Sequence, residues 1–368
     1  VIEGLFLGAI SGTSVDGLDL ALIRAAGPSV AVLQGHTYPL PAILRQQLLN
    51  LGQPGAIDLD ALGTADTALG QFIGETTLTF LAEAGLRAAE ITAIGSHGQT
   101  VRHRPVGPEP FTLQIGDPNR IAEVTGITVV ADFRRRDLAA GGQGAPLVPP
   151  FHRRLFGNPV ERRAVLNLGG IGNLTFLPSD PAEPVTGFDT GPGNGLMDAW
   201  IATCKGLPFD ADGAWSRSGM VHPQLLQRLL DDPYLQKAPP KSTGREYFNL
   251  PWLHQQLRFA PADPADVQAT LRALTAATVS LAIARWGPAT QRVIVCGGGR
   301  LNRALLDDLR DRLSQPVDTA EMHGVDGDSL EAAAFGWLAS LTLSGQAGNA
   351  PSVTGARGLR LLGGVYRP

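Results

Sequence analysis

Three stretches of this 368-residue chain place glycine and small polar residues directly after an apolar run. The first is SGTSVDG, Ser11–Gly17, behind Leu5–Ile10. Its small residues let the backbone approach a ligand, and successive N–H groups with the Thr13 and Ser14 hydroxyls can cradle an anion. Asp16 suits a hard cation such as Mg²⁺, directly or through water. The same residue types also build plain β-turns, so both uses stand for this stretch alone. The second is GGIGN, Gly169–Asn173, behind Ala164–Leu168, with Gly169, Gly170, Gly172 and Asn173 making the same offer. The third is GGGR, in which Gly297, Gly298 and Gly299 join an apolar strand to a helix, as nucleotide sites in α/β sheets often do. Each is weak by itself. Together they describe a cleft that grips a nucleoside triphosphate from two sides.

Carboxylates flank these turns. In FDTGPGNG, Asp189 stands at the end of a strand and beside a glycine turn, where it can serve as general base or metal ligand, or simply form an Asx-turn. Asn194 is placed to cap the helix that follows. Glu331 lies three residues after Asp328, the spacing of a capping box, so a structural and a catalytic use compete for it. SHGQT, Ser96–Thr100, follows an apolar strand and offers His97, Gln99 and Thr100 as polar contacts of the kind a sugar needs. DFRRRD, Asp132–Asp137, offers Arg134, Arg135 and Arg136, whose guanidinium forks pair with carboxylate or phosphate. AAGGQGAPLVP, from residue 139 to 149, reads as a glycine-rich active-site loop or hinge.

The elements that must position these groups are legible from periodicity. Leu5–Ile10, Leu18–Arg24 and Ser29–Gly35 read as three strands, and Ala164–Leu168, Leu174–Leu177 and Val185–Phe188 repeat the device. Apolar residues at three- and four-residue spacing predict helices over Leu62–Leu81 and Val267–Trp286. Asn302 is placed to cap a helix lined by Leu305, Leu306, Leu309 and Leu313, and Asp328–Leu343 reads as a last helix. The class is α/β, with two similar lobes. The expected division is an N-terminal lobe over 1–130, joined by the C-terminal segment 350–368, and a C-terminal lobe over 131–349.

Composition sets limits. A formal net charge of -4 argues against nucleic-acid binding by bulk charge. Two cysteines, Cys204 and Cys296, make a disulfide framework or a cysteine-rich zinc site an unfavoured reading and point to a reducing cytosol. The first residues lack a basic segment ahead of an apolar core, which argues against a secretory signal. No apolar run reaches ~18 residues, so no membrane span is expected. The lysines are Lys205, Lys237 and Lys241 among 30 basic residues, and none sits in a Walker-type loop.

With these residues assembled, the chain resembles the anhydro-N-acetylmuramic acid kinase family. The matching strings are SGTSVDGLD, IGSHGQTVRHRP, LQIGDPNRIAEVTG, VADFRRRDLAAGGQGAPLVP, LNLGGIGNLTF, FDTGPGNGLMDAW, KSTGREYFN, VCGGGRLN and DGDSLEAAAFGWLA. The resemblance implies the two-lobed sugar kinase/actin/Hsp70-like (duplicated ribonuclease H-like) ATPase fold with an interlobe cleft. It implies an enzyme that uses ATP and Mg²⁺ to phosphorylate 1,6-anhydro-N-acetylmuramic acid while adding water across the anhydro bridge. The product is N-acetylmuramic acid 6-phosphate, in cell-wall recycling in the cytoplasm, and the enzyme is a homodimer. It assigns Gly12, Thr13, Ser14, Val15, Asp16, Gly17, Leu18 and Asp19 to ATP. Asp189 becomes the base that activates water, Asp16 and Asp189 candidate Mg²⁺ ligands, and Glu331 an acidic residue near the reacting groups. His97, Gln99, Thr100, Arg134 and Arg136 become substrate contacts, an arginine meeting the lactyl carboxylate. Two other readings remain: a different sugar kinase of the same fold, and a non-catalytic actin-like nucleotide switch.

Overall fold

The computed structural model describes residues 2–12, 15–27, 29–53, 55–244 and 246–368. Thr13 and Ser14, both assigned to ATP above, lie outside the described residues. The chain forms two compact units, one of Val1–Leu155 with Asp328–Pro368, the other of Phe156–Gly327.

Strands are numbered along the chain. In the first unit β1 (Gly4–Ser11), β2 (Gly17–Ala26) and β3 (Ser29–Pro39) form an antiparallel meander. β4 (Ile91–Arg104) pairs parallel with β1, and β6 (Val129–Ala131) parallel with β4. β5 (Phe111–Ile115) folds back on the far end of β4. In the second unit β7 (Arg163–Leu168), β8 (Ile171–Leu177) and β9 (Thr186–Pro192) form another meander. β10 (Arg292–Cys296) and β11 (Val317–Thr319) extend it in parallel from β7. The order β3-β2-β1-β4-β6 in one sheet is thus repeated as β9-β8-β7-β10-β11 in the other. This duplicated ribonuclease H-like arrangement is the sugar kinase/actin/Hsp70-like class expected from the sequence.

The division of the chain differs from the expected one. β6 lies inside the first sheet between β4 and β12 (Gly364–Tyr366), so residue 130 is interior to that unit. The helix Leu330–Leu343 packs on β1, β2 and β4 and belongs there as well.

That helix sits unusually close to the sheet. Gly8 of β1 and Gly95 of β4 are register partners. A Cβ on Gly8 would lie 1.7 Å from the Ala332 carbonyl oxygen, and one on Gly95 2.0 Å from that of Phe335. Only glycine permits such backbone approach. The opposite face carries Leu7, Ala9, Leu20 and Ile94 against Leu69, Ile73 and Phe80 of the Leu59–Glu83 helix. Covered on both faces, β1 reads as an almost unbroken apolar run.

In the second unit the Pro264–Trp286 helix supplies Val267, Leu271, Leu274, Val279 and Ile283 to the core. By length and composition it could cross a membrane, but 78% of its most apolar window is buried within the protein. Among the described residues no other helix is both as long and as apolar.

The close contact makes a testable distinction between glycines. Gly63 lies in the Leu59–Glu83 helix with nothing within 4 Å of an added Cβ. Gly63→Ala should raise stability by about 0.5–1 kcal/mol through helix propensity. Gly95→Ala should lower it by about 3 kcal/mol or more through overpacking. Urea unfolding midpoints of the two variants check both signs.

Candidate active site

In the first unit the loop after β1 closes with the Val15 N–H donating to the Gly12 carbonyl at 3.0 Å. Val15 is buried with φ at 53°, a left-handed conformation that strains a β-branched residue. Gly17 and Leu18 enter β2, and the Leu18 side chain is part of the apolar core, not of a ligand surface. Asp16 is exposed and Asp19 half-buried. Asp19 accepts from the Thr37 hydroxyl at 2.6 Å. Burial pushes its carboxyl up to about 6; the nearby charges of Glu331, Asp16 and Asp328 add to the effect, and the Thr37 bond opposes it. Four carboxylates therefore feel one another here. Among the described residues no three His, Cys, Asp or Glu side chains are placed to hold a metal ion by themselves.

Glu331 stands at the second position of the Leu330–Leu343 helix, with Ser329 at the capping position. A capping box from Asp328 would need Glu331 at the third position, so that reading is corrected. Glu331 is exposed, at the positive end of a helix macrodipole and beside Asp19.

SHGQT does not follow a strand but lies within β4. The pairing with β1 slips between Ala9 and Ile10, leaving His97 as the extra residue of a bulge. Bulges re-aim side chains, and here they turn His97 into the interior. Its Nδ1 lies 3.0 Å from the Gly98 carbonyl, and its Nε2 accepts from Arg134 Nε at 2.8 Å. Both ring nitrogens of His97, assigned to substrate by the resemblance, are thereby engaged within the protein. Gln99 is buried, accepts from the Ser11 hydroxyl at 2.6 Å and donates weakly to the Thr100 carbonyl at 3.3 Å. Thr100 accepts from Gln114 Nε2 at 3.0 Å.

The three arginines separate cleanly. Arg135 is exposed and pairs with Asp132 at 2.7 Å, and Arg136 is exposed on the short Arg135–Ala139 helix. Arg134 is half-buried between His97 and the Gly144 carbonyl, to which Nη1 donates at 2.8 Å. Burial lowers its guanidinium to about 10, with Glu331 and Asp137 opposing. Asp137, fully buried, accepts from Gly144 N–H at 2.8 Å, Asn349 at 2.8 Å and Thr354 at 2.9 Å. It thus anchors the glycine-rich loop to the C-terminal segment.

In the second unit the turn between β7 and β8 is tied to the start of the Asn194–Lys205 helix. Asn194 N–H donates to Gly169 O at 2.8 Å, while Gly193 and Gly195 N–H both donate to Gly170 O at 3.1 Å. Asn194 is not the expected cap. Gly193 holds that position, and the Asn194 side chain donates to the Leu168 carbonyl at 3.2 Å. Gly172 and Asn173 lie in β8, with Asn173 opposite Asp189. Gly297 follows β10 at φ 74° and leads into a single 3₁₀ turn that holds Gly298 and Gly299. Arg300 of that turn is buried and bonded to Glu321 at 2.5 Å. Asn302 caps the next helix as expected, accepting from Leu305 N–H at 3.1 Å.

Asp189 does not end a strand as expected, because β9 continues through it to Pro192, and it is held by Lys241–Thr243 of KSTGREYFN, a segment given no role above. Thr243 N–H donates to Asp189 Oδ2 at 2.9 Å, and the Asp189 N–H donates to the Lys241 carbonyl at 3.3 Å. The Tyr234 hydroxyl donates to the Asp189 carbonyl at 2.8 Å. The Lys241 ammonium lies 4.8 Å from the Tyr234 ring centroid and 5.7 Å from that of Phe188. Behind them Asp232 gathers Tyr234 N–H, the Tyr247 hydroxyl and the Trp252 indole at 2.8, 3.1 and 2.9 Å. Burial pushes the Asp189 carboxyl up to about 6; Glu246 adds to this, while the Thr243 N–H and Lys241 oppose it. A carboxylate poised there, with one oxygen fixed, can take a proton from a bound water near neutral pH.

The whole arrangement has known relatives. The family model described as anhydro-N-acetylmuramic acid kinase matches residues 4–368. A protein of that name from Xanthomonas campestris pv. campestris (strain 8004) is 53% identical over 367 residues, covering 98% of this chain and 97% of that protein. One from Xanthomonas axonopodis pv. citri (strain 306) is also 53% identical, covering 98% of each. Among solved structures, a reductive activator for a corrinoid, iron-sulfur protein shares the fold at TM-score 0.50 and 13% identity, over 96% of this chain and 63% of that one.

The raised Asp189 carboxyl carries a stability consequence. Its folded value, about 6, lies above the ordinary 3.8. Ionising it therefore disfavours the fold as pH rises from about 4 to about 6, and the loss is complete above that. Asp189→Asn should be more stable than the parent at pH 7, by on the order of 1 kcal/mol. The difference should vanish near pH 4. Thermal melts of both proteins across that range check the sign.

Proposed function

The chain belongs to the anhydro-N-acetylmuramic acid kinase family, and from that premise we propose that it opens the 1,6-anhydro bridge of 1,6-anhydro-N-acetylmuramic acid and phosphorylates O6 with ATP. The observation that carries the mechanism is Asp189, a carboxylate in the middle of β9 with one oxygen fixed by Thr243 N–H and the other left for a water. Asp189 takes a proton from that water, and the water oxygen bonds to the anomeric carbon. The bond from that carbon to O6 breaks, O6 attacks the γ-phosphorus, and ADP leaves. The proton on Asp189 returns to solvent. The product is N-acetylmuramic acid 6-phosphate, and the reaction serves cell-wall recycling by a cytoplasmic homodimer.

The ATP phosphates are assigned to the stretches Gly12–Asp19, Gly169–Asn173 and Gly297–Gly299. Mg²⁺ fits the first unit, where Asp16 is exposed and Asp19 and Glu331 raise the local negative charge without forming a closed cage. Such a site suits an ion that keeps several waters and shares phosphate oxygens. Bound there, Mg²⁺ would neutralise charge on the transferring phosphates. Asp189, beside Lys241 and a backbone N–H, is better suited to base than to metal ligand. Gln99, Thr100 and Arg134 face the sugar, with Arg134 on the lactyl carboxylate. Arg136, exposed on its helix, is not needed for that contact.

Mass spectrometry of product formed in ¹⁸O-water and quenched early tests bond cleavage and phosphorylation together. One ¹⁸O on C1 and none in the phosphate is expected. A phosphorylated sugar with its bridge intact, or label in the phosphate, contradicts the mechanism. Asp189→Asn should lower turnover by about 10²-fold or more with ATP affinity retained, measured by coupled assay and calorimetry. In the parent, kcat/KM should fall as pH drops below about 6, since the base must be ionised.

A further inference from the structure

His97 is buried, yet it is joined to a charged group that faces the substrate in the reading above. Arg134 Nε donates to His97 Nε2 at 2.8 Å. A guanidinium has no lone pair to give, so the imidazole must accept, and it can do so only as the neutral form with its proton on Nδ1. That proton has its own acceptor, the Gly98 carbonyl at 3.0 Å. Gly98, with φ at 69°, belongs to the bulge that turned the histidine inward. The ring packs on Phe335, with centroids 4.6 Å apart, and the Arg134 guanidinium carbon lies 6.0 Å from the same ring. Nη1 is fixed by the Gly144 carbonyl, and Nη2 has no hydrogen-bond partner among the described residues. Two anchors therefore hold the fork in one plane and leave a donor edge open.

We infer that His97 is a positioning residue that fixes the Arg134 guanidinium to receive the lactyl carboxylate of the substrate. The inference rests on the assignment of Arg134 to that carboxylate and adds the residue that sets its geometry. Burial and the adjacent Arg134 hold the His97 imidazole well below its ordinary range, so the accepting form persists across working pH. Asparagine at this position would reach the Gly98 carbonyl but not Arg134. Glutamine would place an amide oxygen near the Nε2 position, and phenylalanine would keep only the packing on Phe335.

The test is steady-state kinetics of His97→Phe, His97→Gln, Arg134→Ala and the His97→Phe/Arg134→Ala double variant, alongside the parent. Hydrogen bonds to charged groups predict a KM for the anhydro sugar about tenfold or more higher in His97→Phe, with the KM for ATP unchanged. His97→Gln should recover most of the loss. In the double variant the His97 change should add nothing to that of Arg134→Ala, because both act on one contact. An unchanged sugar KM in His97→Phe, or a full additive loss in the double variant, overturns the role of His97 while leaving Arg134 in place. An unchanged sugar KM in Arg134→Ala overturns the assignment of Arg134 as well. If His97→Phe does not fold, His97→Asn takes its place with the same expectations.

Discussion

The contact of the Leu330–Leu343 helix with β1 and β4 is the constraint on which the first unit's chemistry depends. The helix approaches at backbone distance because Gly8 and Gly95 offer no side chains where Ala332 and Phe335 present their carbonyls. Its own residues are almost all buried and small or apolar, so it has no other surface on which to rest. The depth of that seat fixes what the helix carries. Glu331, in its first turn, is brought to Asp19. Phe335, one turn further, backs His97 and also packs against Phe133 at 5.4 Å. A larger residue in the sheet would lift the helix and displace an acidic group and an arginine support together.

Two carboxyls are raised to about 6, one in each unit, by burial first. Their surroundings then diverge. Asp19 sits among other carboxylates and a hydroxyl donor, an environment that favours a cation. Asp189 sits against a backbone N–H and an ammonium, which favour its own negative charge and hold one oxygen still. The difference follows from neighbours, not from residue type.

Much of this was legible in the sequence because it is local. The duplicated meander shows as apolar runs broken by glycine turns, and the Asn302 cap and the long helices show in their spacing. What was not legible depends on contacts between distant residues. The register slip that buries His97 is set by pairing of β4 with β1, so SHGQT reads as following a strand although it lies within one. The clamp on Asp189 comes from Thr243, 54 positions away, and a backbone N–H leaves no mark in residue type. The anchoring of Asp137 by Asn349 and Thr354 likewise joins segments more than 200 positions apart, which is why a boundary near residue 130 looked natural. The different burial of Arg134, Arg135 and Arg136 was not legible either, since all three are equivalent as letters.

The most direct measurement is a crystal structure of the protein with a non-hydrolysable ATP analogue, Mg²⁺ and 1,6-anhydro-N-acetylmuramic acid. A water within hydrogen-bond reach of the free oxygen of Asp189 and adjacent to the anomeric carbon is expected, with the phosphates on the loop between β1 and β2. A sugar whose anomeric carbon lies away from Asp189, or a nucleotide far from that loop, would contradict the role given to both.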